Sequence, residues 1–191
     1  MRKYVLAALV AGTIATPALA QTAAPFTGAR VEGVVGYDRA AVPGDDSDGV
    51  TYGAGVGYDF QMGASVFGVE GEYALSTIDE CTANVEVTGD QICAQVGRDI
   101  YAGARIGSIV GANTLLYGKA GYTNARLQTE YTTGVVGTEV RESTDLDGVR
   151  LGAGLEHAIG PNSFLKAEYR YSNYEQGFEK HQGVVGFGFR F

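Results

Sequence analysis

Charged residues recur at every second position along much of this sequence. Lys166, Glu168 and Arg170 alternate with Leu165, Ala167, Tyr169 and Tyr171, Glu70 and Glu72 with Val69, Gly71 and Tyr73, and Arg30 and Glu32 with Ala29, Val31 and Gly33. A period of two places such residues on one face of an extended strand. The same parity adds Arg105, Lys119, Arg150, Glu156 and Arg190, so that seven cations and five acids share the faces opposite the apolar side chains. Twelve groups so arranged could form ion pairs across an interior, line a narrow aqueous path, or act as general acids and bases. Carboxylates beside this many cations stay ionised, which suits pairing better than acid catalysis. Between a plug and a pore the residues leave the choice open.

Three smaller constellations also carry chemistry. Cys81 and Cys93 are an even count in a chain with export features, which favours a disulfide closing about a dozen residues, worth roughly 3 kcal/mol of loop entropy. A zinc site would need more ligands than two cysteines and two distant histidines. Asp45, Asp46 and Asp48 beside Gly44 could gather a divalent cation, yet they lack the spacing of a calcium loop with its distal Glu, and a solvated acidic loop is the simpler reading. His157 and His181 have no neighbouring Ser in a nucleophile arrangement, which argues against a hydrolytic enzyme.

These residues need strands to position them, and the composition supplies strands. Glycine is abundant at 29, Tyr and Phe number 12 and 8, Trp is absent and Pro is rare at 4. Alternation predicts eight strands over 27–38, 50–60, 65–76, 98–109, 114–123, 147–158, 164–173 and 183–191. The inward face of the second is almost bare, carrying Gly53, Gly55 and Gly57. Connections alternate between long and short: 61–64, 111–113 and 160–162 are tight turns, whereas 41–48, 77–97, 124–146 and 174–182 read as loops, with 131–140 able to prolong a hairpin. An even-numbered antiparallel barrel in a membrane has this rhythm. Aromatics sort into two bands in that arrangement, Tyr58, Phe60, Phe67, Phe189 and Phe191 at one rim and Tyr37, Tyr52, Tyr73, Tyr122 and Tyr171 at the other.

The first twenty residues stand apart. Arg2 and Lys3 precede an apolar run over 5–14, and Ala18-Leu19-Ala20 offers a small-x-small cleavage site, so residues 1–20 read as an export signal and 21–191 as one domain starting at Gln21. The run is about half the roughly 20 residues a spanning helix needs. Without the signal, 12 Lys plus Arg face 22 Asp plus Glu, a net charge of −10 that disfavours a nucleic-acid partner. No later apolar stretch is long enough for a spanning helix, so a membrane location requires a closed barrel. A soluble eight-stranded carrier would need an apolar cavity and a polar exterior, which the Gly and Arg face of 183–191 fits poorly.

Three stretches carry a family resemblance: Gly148-Val149-Arg150-Leu151-Gly152-Ala153-Gly154-Leu155-Glu156, Leu165-Lys166-Ala167-Glu168-Tyr169-Arg170-Tyr171, and Gly186-Phe187-Gly188-Phe189-Arg190-Phe191. In this order, behind an export signal and ending on Phe, the chain resembles the small OmpA-like and opacity-protein-like "porin family" barrels of Gram-negative outer membranes. The resemblance implies an all-β, eight-stranded antiparallel up-and-down transmembrane barrel in the cell outer membrane. It also implies a role in envelope integrity or loop-mediated adhesion, no enzyme activity and no cofactor. Phe187, Phe189 and Phe191 would then be the insertion signal read by the barrel-assembly machinery. The other partners implied are outer-membrane lipid, lipopolysaccharide and an extracellular ligand on the loops. OmpA itself continues into a peptidoglycan-binding domain, whereas this sequence stops on its last strand, so cell-wall anchorage is not expected. The alternative is a narrow small-solute porin with a charged lumen.

Overall fold

A computed structural model describes residues 25–42, 45–83, 91–132 and 139–191. Its strands are β1 (Gly28–Val42), β2 (Asp45–Met62), β3 (Ser65–Ser76), β4 (Asp79–Ala83), β5 (Gln91–Val110), β6 (Thr114–Thr132), β7 (Glu139–Ala158), β8 (Ser163–Tyr174) and β9 (Glu179–Arg190). All pairings are antiparallel, each strand bonding to its neighbours in sequence except that β3 pairs with β5 rather than with β4, and β9 returns to β1. The result is a closed ring of eight staves, with the short β4 continuing the line of β3 along β5. Closure removes every sheet edge from the ring.

The register fixes the shape of the ring. Following Cα partners once around from Val31, through Val56, Gly71, Ala102, Tyr122, Val149, Asn173 and Glu179, returns to β1 at Ala41, ten residues further along. A stagger of ten over eight strands inclines them at about 40° to the axis. A 12-residue strand such as β3 or β8 then rises about 30 Å, close to the roughly 25 Å apolar band of such barrels. The 20-residue β5 and β7 rise about 50 Å and so stand well clear of that band.

Strand polarity is inverted relative to a soluble protein. Every second side chain of β8 is buried, namely Phe164, Lys166, Glu168, Arg170, Ser172 and Tyr174, and those between are exposed or half-buried. Outward go Val31, Val35, Val56, Val69, Ile106, Leu116, Leu151, Leu155, Leu165 and Val185. Tyr58, Phe60, Phe67, Phe189 and Phe191 are exposed toward the end that holds the tight turns, and Tyr37, Tyr52, Tyr73 and Tyr122 toward the other. Tyr171 packs on His181 with ring centroids 5.1 Å apart.

Among the described residues, all four expected loops are largely strand. The 41–48 segment contributes to β1 and β2, which remain paired as far as Val42 opposite Asp45. The 77–97 segment holds β4 and the start of β5, and 174–182 holds one 3₁₀ turn, Glu175–Gly177, and the start of β9. Ladder hydrogen bonds explain this, because a strand already paired in the ring extends beyond it as long as its neighbour does, whatever the polarity of its side chains. The 124–146 segment likewise prolongs β6 and β7, which stay paired as far as Thr132 opposite Glu139, while the tip of the hairpin anticipated over 131–140, residues 133–138, lies outside the described residues. The proposed export signal, residues 1–20, lies outside the described residues.

A charged lumen sealed at both ends

All twelve charged residues assigned to the inward faces point into the lumen. Four more join them: Asp38, Asp59, Asp99 and Lys180. The described lumen therefore holds eight cations and eight carboxylates, where the sequence reading had seven against five. Parity alone puts Asp38 and Asp59 on the inward face of their strands, and strand ends hid their importance. Lys180 fell in a segment read as loop, and Asp99 follows an irregularity in β5, whose pairing with β6 shifts register between Val96 and Asp99.

These sixteen groups form one connected network along the barrel axis. Near the tight turns, Asp59 lies 3.1 Å from Arg30, 2.5 Å from Arg105 and 2.8 Å from Arg190, and Glu156 meets Arg105 and Arg190 at 2.9 and 2.8 Å. Arg30 passes the chain on to Glu32 at 3.0 Å and to Glu70, which also holds Lys119 at 2.9 Å. Lys166 bridges Glu32 at 2.5 Å and Glu168 at 3.8 Å, and Glu168 pairs in turn with Lys119 and Arg170. At the far end Arg170 grips Glu72 through both terminal nitrogens, Arg150 meets Asp99 at 2.6 Å, and Lys180 ends the series 2.9 Å from Asp38.

Neutral side chains complete it. The Tyr117 hydroxyl donates to Glu168 at 2.6 Å, those of Tyr174 and Thr123 donate to Asp99 at 3.1 and 2.9 Å, and Ser76 donates to Asp38 at 2.8 Å. The Tyr101 ring faces the Lys119 ammonium at 4.5 Å and the Arg150 guanidinium at 5.3 Å. The bare inward face of β2 provides the space: a Cβ on Gly57 would come within 3.0 Å of the Arg30 guanidinium, and one on Gly68 of β3 within 2.1 Å of Asp59. Glycines here make room for long charged side chains in a barrel barely wide enough to hold them.

Each end of this ionic column is closed by an apolar cluster. Phe26, Val66, Leu115 and Tyr117 are packed together at the tight-turn end, with Ile109 against them and the Arg190 guanidinium 5.3 Å from the Phe26 and Phe164 rings. Ala40, Ile78, Ala125, Leu146, Tyr174 and Phe178 cover the opposite end. The sequence reading missed this second cluster because Phe178 and Tyr174 lay in an expected loop.

The remaining candidates fall outside the lumen. Cys81 and Cys93 form a disulfide, so with Asp79 beside them they offer no thiolate to a metal. Of the three loop aspartates only the Asp48 side chain is described; it is exposed and accepts a hydrogen bond from Tyr37. His157 Nδ1 lies 2.9 Å from the Thr114 hydroxyl and His181 Nδ1 2.7 Å from that of Tyr169. Phe187 and Phe189 meet edge to face on the outer surface, centroids 5.0 Å apart, and Phe191 follows.

A family model described as "Outer membrane protein beta-barrel domain" matches residues 6–191. The 25 kDa outer-membrane immunogenic protein of Brucella ovis is 26% identical over 146 residues, covering 73% of this chain; the match spans 62% of the Brucella protein's length. Among solved structures, Neisserial surface protein A superposes with a TM-score of 0.62 at 17% identity, covering 86% of this chain and 98% of that one. Ail, the attachment invasion locus protein of Yersinia pestis, seen in complex with the heparin analogue sucrose octasulfate, gives 0.57 at 20% identity, covering 86% and 99%. At such identities the two structures speak for the fold.

Proposed function

The chain belongs to the outer membrane protein beta-barrel family, and from that premise we propose that its lumen is a structural plug and that it acts through its external end, without catalysis. It is an outer-membrane barrel; with short turns at the periplasmic rim, the tall β5, β6 and β7 face outward. One observation carries the reading: a charge-balanced ion-pair network fills the lumen and an apolar cluster caps each end. An ion crossing it would have to displace buried pairs whose separation leaves charges uncompensated. The function left to such a barrel is envelope integrity and contact with what lies outside the cell. We also assign residues 1–20 to export, with the mature chain starting at Gln21, and Phe187, Phe189 and Phe191 to recognition during insertion.

The reading is tested by single-channel recording of refolded mature protein in a planar bilayer, with the disulfide intact. Silence from protein shown to be folded is expected. Discrete openings that change with Glu72→Gln or Arg150→Gln would make it a narrow porin instead. Mass analysis of protein isolated from outer membranes tests the leader, a chain beginning at Gln21 being expected.

A further inference from the structure

The ring is closed only up to a certain height. β3 pairs with β2 as far as Ser76 opposite Thr51, and the last hydrogen bonds across that seam are made by Thr77, whose amide donates to the Val50 carbonyl at 2.9 Å while its hydroxyl accepts from the Val50 amide; Ile78 then lies against Gly49. Above this level β2 continues to Asp45 paired with β1 alone, and β4 is paired with β5 alone. Among the described residues no strand pairs with the facing edges of β2 over 45–49 and β4. The register shift in β5 between Val96 and Asp99 lies at the same level, and such an irregularity bends the strand, carrying β4 with it.

Those edges present unpaired backbone groups toward each other. Cys81 and Cys93 are direct partners with Cα atoms 4.1 Å apart, the spacing of a non-hydrogen-bonded pair, so the amide and carbonyl of Cys81 point away from β5. Alternation gives the same direction to Asp79 and Ala83. On β2 both backbone groups of Val50 point to the seam, so those of Asp48 and Asp46 do as well. Protected edges commonly carry lysine or proline; 45–50 and 77–83 contain neither, and hold instead Asp45, Asp46, Asp48, Asp79 and Glu80. The disulfide fixes β4 in place, so little ordering would be needed on binding.

We propose that this split seam is a docking site for a basic, extended polypeptide segment, which adds to the β4 edge as a further strand. Backbone hydrogen bonds supply the attachment and the exposed Asp48 and Asp79, one on each edge, select a cationic partner, the usual division of labour in strand addition. An acidic seam repels sulfated glycans, so the partner is a polypeptide. The inference rests on the reading of the external end as the working one.

The test uses full-length mature protein in nanodiscs and a fluorescent peptide of alternating Lys and Thr, followed by anisotropy. Saturable binding is expected, weakened about tenfold or more when alternate peptide amides are N-methylated, because one row of hydrogen bonds is then lost. Asp48→Asn with Asp79→Asn, both exposed and outside the lumen, should weaken it several-fold and flatten its salt dependence. Equal affinity for the methylated peptide would reduce the effect to charge attraction and overturn the proposal. So would no saturable binding, or a preference for sucrose octasulfate. Conductance of the same preparation reports separately on the closed lumen: channel openings would overturn that reading and leave the peptide result to stand or fall alone.

Discussion

Asp59 and Asp145 are both held by arginines, with opposite consequences. Inside the ring Asp59 is fully buried and meets Arg30, Arg105 and Arg190. Above the membrane on β7, Asp145 accepts from Arg126 at 2.8 and 3.0 Å and from Arg98 at 3.3 Å, with 44% of its side chain exposed. Water competes for the second pair and is excluded from the first. The external extension borrows the ring's register, yet it lacks the ring's closure and burial. Stability belongs to the ring, and freedom to vary and to bind belongs to what stands above it.

Breaking the ring side of this comparison should give the largest effect. Asp59→Ala removes the carboxylate that three guanidinium groups share, and leaves Arg105 and Arg190 with Glu156 alone and the buried network with one uncompensated positive charge. It should cost about 3 to 5 kcal/mol in urea unfolding from lipid or detergent; a loss below about 1 kcal/mol would mean water reaches the lumen. On the lipid face, Ala153→Arg should cost about 2 to 4 kcal/mol if that surface meets hydrocarbon. Full tolerance of it in a membrane insertion assay would contradict the outward apolar band.

The external side should respond locally. Cys81→Ser with Cys93→Ser releases about 3 kcal/mol of loop-closure entropy, but β4 has one neighbour, so faster amide exchange and proteolysis in β4 and the start of β5 are expected, with the unfolding midpoint of the ring unchanged. A drop in that midpoint would show that ring and extension fold as one unit. The smallest effect belongs to the exposed pair. The hydrogen bond from Arg126, and secondarily its charge, hold the Asp145 carboxyl below its usual range. A carboxyl lowered in this way adds stability above its unfolded value and loses it as pH falls through the folded one. NMR titration of Asp145 should give a midpoint below about 3.9, returning toward that value in Arg126→Ala with no resolvable change in global stability.

Much of this could be read from the residues. Period-two alternation assigned the eight staves, the outward apolar face, the inward charges and the two aromatic bands, because a barrel wall one residue thick leaves each side chain only two directions. Composition failed where it was used to separate strand from loop. The polar stretches around Asp79, Glu142 and Lys180 look like loops by composition, although a paired neighbour was enough to keep them extended.

The sequence by itself determined which face each side chain takes, since parity is a local property of an extended backbone. Only the tertiary structure decided the stagger of ten, and with it which charges meet: Asp59 reaches arginines on β1, β5 and β9, and Lys180 links Asp38 to Asp99 across the lumen. The height at which the ring opens between Thr51 and Asp48 is likewise set by pairing between distant strands. Partners on separate strands are fixed by closure of the whole ring, which no single stretch of sequence encodes.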